Sequence, residues 1–391
     1  AQHTREELHQ SFQEGGAKAL LELLSRPNIA SKEWLIRQYD HEVQGSSVIK
    51  PLHTLATGTP NVWSGPNDAG VLKPKAHSDA GLAVGCGINP KFSDIDPFLM
   101  AQSAVDEAVR NVLCVGGEYG NPTSVLALVD NFCWPDVLED PYKAACLVRA
   151  CYGMRDAALH LSAPFVSGKD SMKNDFKGWS NGKPVAISVP PTLLITAVAR
   201  VPDIKAARSA DFKAAGDGIY LLGPADFGLL GSEYYQMSCQ KWNKLSGFGG
   251  PLRVGTPHWE TARRLYSWLG GAQGKLHARL KSVHDVSDGG VLVAVAESLL
   301  ARGLGASIYV PADLNPWEFM FGEGFHSFVA TLSPEESATV ESEWQKAEIP
   351  FRRLGTVENQ DRLEVFFGET PVLSVGLKQI RSAWLKEGYW E

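Results

Sequence analysis

The segment VPDIKAARSADFKAAGDG (201–218) limits the fold of this chain more than any other stretch. It is polar and turn-rich, follows the β-branched run TLLITAVARV (192–201), and gives way at Ile219 to a second β-rich pattern. The run before it reads as a buried strand. A strand that stops at such a break, with a new pattern beyond it, divides the chain into two units near residue 205. The 391 residues give each unit enough length for its own core, at the usual ~100–200 residues per domain.

The elements on either side are mixed. Leu8, Phe12, Ala19, Leu20 and Leu24 recur at helical spacing and stop at Pro27, so residues 1–30 read as a helical lead-in. A helix that begins at the first residue, with no initiator, is expected of an excised or processed piece. Residues 31–204 form the first domain, with helices predicted from Pro97 to Leu113 and from Pro141 to Leu161. Asp96 and Asp140 stand at their N-cap positions with proline next, the pattern that starts a helix. Residues 205–391 form the second domain, with helices predicted at 258–270, 288–302 and 334–346 and strands at 306–310 and 326–332. Strands and helices alternate without one long βαβ series, which predicts two α/β (α+β) sandwiches and not a doubly wound sheet.

Charge and cysteine content narrow the functions. Lys+Arg 37 against Asp+Glu 44 leaves −7, so no global positive field exists to hold a nucleic-acid backbone. No apolar run approaches the ~18–20 residues that span a bilayer. The six cysteines include no Cys-x-x-Cys pair, and buried reduced thiols in a cytoplasmic protein are expected.

Two phosphate motifs fail. SGKDS (167–171) resembles the end of a P-loop, but Ala163 and Asp170 stand where glycine and Ser/Thr are needed. No G-x-G-x-x-G joins a strand to a helix. What remains is a set of acidic turns. Asp68 lies in the turn GPNDAGVLKP, Glu107 and Asn111 share one helix face, and HDVSDGG (284–290) carries Asp285, Asp288 and then Gly289 and Gly290 at a helix start. Carboxylates with an amide oxygen suit Mg²⁺, and a glycine-led helix N-terminus suits phosphate. Plainer roles stand beside these: Glu107 pairing with Arg110, Asp288 capping its helix, Asp68 holding a turn and His284 hydrogen-bonding structurally.

Eight blocks in order resemble a known family: NIASKEWLIRQYDHEVQG (28–45), GPNDAGVLKP (65–74), DEAVRNVLCVGG (106–117), LVDNFCWPD (128–136), PFVSGKDSMKND (164–175), SVPPTLLITAVARV (188–201), GSEYY (231–235) and HDVSDGG (284–290). They are similar to the second half of the phosphoribosylformylglycinamidine synthases, in the aminoimidazole ribonucleotide (AIR) synthetase-like superfamily. The resemblance implies a two-domain, PurM-like architecture, with an N-terminal α/β domain that pairs into a barrel and a C-terminal α/β domain that closes over a nucleotide. It implies ATP-dependent conversion of formylglycinamide ribonucleotide, with ATP/ADP and Mg²⁺ bound. The implied partners are the first half of the synthase and a glutaminase domain or subunit, with homodimerisation as the other way to cover an open sheet edge.

By position, the resemblance implies Mg²⁺ ligands at Asp68, Glu107, Asn111 and Asp285. It implies nucleotide or phosphate contacts at Tyr39, Asp40, Lys169 and Ser171, beside Gly289 and Gly290 from the helix-start argument. No catalytic residue is assigned. The His-Asn-His-Pro segment of the first half is absent, Leu230 replaces a glycine, and MFGEGFHSF (320–328) keeps Glu323 but loses the Ser and Arg of F-S-E-S-x-x-R. Two alternatives stay open: a non-catalytic nucleotide-binding module, and a free-standing homodimeric AIR synthetase-like enzyme.

Overall fold

The computed structural model describes residues 5–39, 43–53, 64–138, 140–242, 252–271 and 274–386. Two sheets organise them. The first has six strands in the order Ser47–Ile49, Ala69–Leu72, Gly81–Ile88, Thr192–Val201, Leu126–Cys133 and Phe165–Gly168. The second has seven, in the order Ser282–Asp285, Phe328–Leu332, Gly218–Leu222, Phe351–Glu358, Gly305–Tyr309, Arg362–Phe367 and Thr370–Gly376. Segment 201–218 joins the long strand of the first sheet to a central strand of the second.

The first sheet carries both its long helices, Pro97–Cys114 and Pro141–Leu161, on one face. Both start as their residues dictate: Asp96 accepts the Phe98 N–H and Asp140 the Tyr142 N–H, each ahead of a proline. The other face is open. Gly81–Ile88 alternates buried and exposed along its whole length, and Leu82, Val84 and Ile88 point outward. Thr192–Val201, expected to be buried, is buried only on alternate residues, because none of the described residues covers that second face.

The second sheet is covered on both faces. Trp259–Leu269 and Pro334–Lys346 lie on the side continuous with the first domain's core, where Tyr220, Tyr266, Trp268 and Trp344 pack with Val109, Val112 and Leu113. On the far side Gly290–Ser298, Pro316–Phe321, Leu377–Leu385 and the N-terminal helix Arg5–Leu24 close a second core.

That last element corrects the expected lead-in. Phe12, Leu20 and Leu24 are fully buried among Trp317, Phe321 and Ile380, and the Phe12 ring lies 5.1 Å from Trp317 and 5.6 Å from Phe367. The helix precedes the first domain in sequence yet is built into the second. The expectation for the cysteines also needs correction: Cys114 and Cys146 are buried, but Cys86, Cys151 and Cys239 are exposed. Among the described residues no helix is long and apolar enough to cross a membrane.

Candidate functional site

Close packing of a helix on a strand sets up the site. A Cβ on Gly87 would lie 2.2 Å from the Ala104 carbonyl oxygen, and one on Gly85 would lie 2.9 Å from the Asn111 Cβ. Only glycine lets Pro97–Cys114 sit this near the sheet. Residues four apart then form two adjacent rows. Asp106 and Arg110 face the second domain, while Glu107 and Asn111 lie against the strand. Glu107 accepts the Ile88 N–H at 2.8 Å and Asn111 Nδ2 donates to the Cys86 carbonyl at 2.6 Å.

The second domain delivers its acid from the end of Ser282–Asp285. His284, buried, donates from Nδ1 to Asp68 at 2.8 Å and from Nε2 to Glu297 at 3.1 Å. Burial opposes its charge, but Asp68 and Glu297 override that and hold its pKa well above the usual value. Asp68 also accepts the Asp285 N–H at 2.9 Å, so a turn of the first domain is pinned to a strand of the second. Asp285 pairs with Arg110 at 2.6 Å, and Arg110 reaches back to Asp106 at 3.1 Å. Asp106 in turn accepts from His326 and Tyr266, both fully buried.

Asp68, Asn111 and Asp285 thereby line one cleft of 310 Å³ with Asn28, Lys32 and Trp384. Burial, then the charge of Asp68, pushes Asp285 up to about 7 despite Arg110. Burial, then Asp285 and Asp288, raises Glu107 well above the ordinary carboxylate range. The second oxygen of Asp68 is buried with no hydrogen-bond partner. Buried acids that raise one another, with an orphaned oxygen among them, match the donor chemistry of a hard divalent cation. Among the described residues no three His, Cys, Asp or Glu side chains already converge as a metal-binding group. The donors fit Mg²⁺, but their shell is not preassembled.

The helix start at Gly289–Gly290 differs from expectation. Gly289 is the N-cap, and its N–H donates to Glu323 at 2.8 Å; the Gly290 N–H goes to the Ser287 carbonyl at 3.0 Å. Glu323 also accepts the Glu233 N–H at 2.8 Å, so one internal carboxylate sits at the N-termini of two helices, where a phosphate would otherwise go. Gly289 and Gly290 are therefore not free phosphate donors. Asp288 does not cap the helix either, because its carboxylate goes to Lys91. That lysine is buried among three acids, with Glu323 at 3.2 Å and Glu233 at 3.4 Å. Burial works against its charge, yet Asp288, Glu323 and Glu233 together raise its pKa.

The other predicted contacts lie elsewhere. Lys169 and Ser171 follow the edge strand Phe165–Gly168, their side chains bonded to each other, and neither lines the cleft. Tyr39 is 71% exposed and does not line it. Asp40 is outside the described residues. Glu107 pairs with the Ile88 N–H, leaving Arg110 to Asp106 and Asp285. Sequence reasoning missed Lys91, Glu233, Lys32 and Trp384. The NIASK block contained Lys32, but nothing in the spacing marks a lysine as part of a cleft wall.

The fold and site define a two-domain α/β protein whose domains meet over an acidic cleft. The chain belongs to the AIR synthase related family: the N-terminal domain model of that family matches residues 66–200 and the C-terminal domain model residues 214–368. It is similar to the phosphoribosylformylglycinamidine synthase subunit PurL of Alkaliphilus metalliredigens, 31% identical over 374 residues that cover 94% of this chain and 44% of that protein. The namesake subunit of Synechococcus elongatus is 32% identical over 386 residues, covering 93% and 45%. The chain thus spans less than half the length of these relatives. Among solved structures, T. maritima PurL complexed with FGAR superposes with a TM-score of 0.63 at 15% identity, over 95% of this chain and 53% of that one. T. maritima PurL complexed with ADP gives 0.61, over 95% and 52%. At these identities the superpositions speak for the fold.

Proposed function

We propose that this chain is the second half of a phosphoribosylformylglycinamidine synthase and carries a Mg²⁺–nucleotide site. The reaction is the ATP-dependent, C–N bond-forming conversion of formylglycinamide ribonucleotide to formylglycinamidine ribonucleotide in purine biosynthesis, in the cytoplasm. The observation that carries the reading is the meeting of Asp68, Asn111 and Asp285 in one cleft, in a chain about 31% identical over nearly its whole length to one half of such subunits.

Asp68, Asp285 and Glu107, with the amide oxygen of Asn111, are the groups that would hold Mg²⁺. Bound there, Mg²⁺ would neutralise charge on phosphate oxygens. The protein supports this in three ways. His284 and Arg110 keep Asp68 and Asp285 oriented. The Asn111 amide is fixed by its bond to the strand. Lys32, on the cleft wall with its ammonium held by the Asn28 and Ala30 carbonyls at 3.2 and 2.5 Å, offers a fixed positive charge. No residue of this chain is assigned to the chemical step, so turnover calls for the first half of the synthase, with ammonia from a glutaminase. The open face of the first sheet is where that first half would pack.

A second reading, a structural nucleotide module, draws on the internal pairing of Asp68 with His284 and of Asp285 with Arg110. One experiment separates them. The purified chain is incubated with ATP, Mg²⁺, ammonia and formylglycinamide ribonucleotide, with and without a first-half polypeptide, and ADP release is followed. Turnover only with the first half supports the half-enzyme. Turnover by the chain alone sinks it, and tightly retained ADP without turnover in either arm supports the structural module.

A further inference from the structure

A second cleft, of 590 Å³, opens just beyond the C-terminus of helix Pro97–Cys114 and shares no lining residue with the first. Its walls come from both domains: Gly116 and Glu118 after the helix, Arg208 in the connecting segment, and Gly270–Gly271 with Lys275 and His277 after Trp259–Leu269. The volume falls within the ~300–1,000 Å³ usual for small-molecule sites, and domain junctions are where such sites concentrate.

The charges on the wall are unequal. Glu118 is neutralised by Arg200, which grips both its oxygens at 2.7 and 2.8 Å. Asp203 accepts the Lys205 N–H at the start of its own short turn. Among the described residues Arg208 has no carboxylate partner. It is buried, and its three hydrogen bonds all go to main-chain carbonyls: His277 at 2.8 Å, Leu113 at 3.1 Å and Cys114 at 3.4 Å. A guanidinium carries five N–H donors, so capacity remains. Burial lowers its pKa to about 10, offset only in part by the neighbouring Cys114 thiol. Lys275 adds an exposed ammonium at the rim. With Glu118 cancelled, two cations stand against the single carboxylate of Asp203.

Four of the lining residues, Gly116, Gly270, Gly271 and Gly274, carry no side chain, so a flat ring can approach the backbone there. We propose that this cleft binds a phosphate-bearing metabolite of nucleotide size, its phosphate against Arg208 and Lys275 and its body against the glycines of the wall. The site is separate from the acidic cleft and does not depend on the function proposed for it.

The test uses AMP as probe, in metal-free buffer, by calorimetric titration of the full chain. Adenosine serves as the uncharged counterpart and inorganic phosphate as competitor. Lys275→Glu and Ala278→Glu alter exposed positions at the rim, so both variants keep the fold. Arg208→Gln is read only alongside them, since it also removes the helix-end bonds. The expected result is saturable AMP binding that phosphate competes away. Adenosine should bind about tenfold more weakly or worse, and each rim variant should lose about tenfold. Asp68→Asn, in the other cleft, should leave it unchanged. The proposal is overturned by absence of saturation at about 10 mM AMP, by equal binding in the rim variants, or by loss in Asp68→Asn alone.

Discussion

Lys91 shows how the site is held together. Its ammonium is the shared counter-charge of Glu233, Asp288 and Glu323, and it belongs to the first domain while all three acids belong to the second. Lys91→Met should therefore destabilise the protein by about 3–5 kcal/mol, the usual result of stranding buried charge, measurable by urea denaturation. Asp106 gives an acid-side prediction. Burial raises its pKa, but His326 and Arg110 outweigh that and hold it at about 2, against an ordinary 3.8. The folded state thus releases this proton more readily than the unfolded one. The resulting stability, about 2 kcal/mol, is complete above pH ~4 and is lost as pH falls towards 2. Asp106→Asn should remove that part of the acid dependence while lowering stability at neutral pH; an unchanged acid limb would refute it. Asp68→Ala and Asp285→Ala should each weaken Mg²⁺-dependent nucleotide retention and shrink the melting-temperature rise that nucleotide gives. Residues of this kind were only half legible in the sequence. Asp68, Asn111 and Asp285 could be picked out because carboxylates and an amide are the donor set of a hard cation, although such residues in turns and on helix faces also have plainer structural uses. Lys91 and the occupation of Gly289 by Glu323 could not, since both depend on contacts between residues 34 and 232 positions apart.

At the level of elements, helix Pro97–Cys114 and strand Gly81–Ile88 act as one unit that presents Glu107 and Asn111. Gly87→Ala would force a methyl within 2.2 Å of the Ala104 carbonyl oxygen and 2.5 Å of the Ala108 nitrogen. It should cost about 1–3 kcal/mol through overpacking, and more tellingly displace Asn111, so nucleotide retention should fall with it. Retained binding in a destabilised Gly87→Ala protein would uncouple the two. Helix boundaries were readable where capping chemistry is local: Asp96–Pro97 and Asp140–Pro141 start their helices as written. The start at 288 was misplaced by two residues because Asp288 is an acceptable cap by composition, and only a tertiary partner, Lys91, draws it away. The helix at the chain start was recognised, but amphipathic spacing cannot say which core a helix joins.

For the whole molecule, the unfinished feature is the open face of the first sheet. Leu82, Val84 and Ile88 are exposed there in a row, with Val166 on the edge strand. An apolar sheet face of this kind is expected to be covered by another chain. Sedimentation velocity of the isolated chain should show a dimer, or a complex with the first half of the synthase when that is added, and Val84→Glu should abolish either. A monomer at tens of micromolar with no partner uptake would count against it.

The helix Arg5–Leu24 has a consequence for how the chain reaches this shape. It is synthesised before the whole first domain, yet its partners include Phe367 and the closing helix Leu377–Leu385, more than 340 residues later. Its apolar stripe packs on Trp317 and Phe321 as well, but cannot complete its packing until residues 367–385 have been made. Contacts of such long sequence separation form late and slowly, so refolding should show a slow phase reported by the Trp317–Phe12 contact after the first domain has formed. Until then the stripe is the segment most open to chaperones or to aggregation.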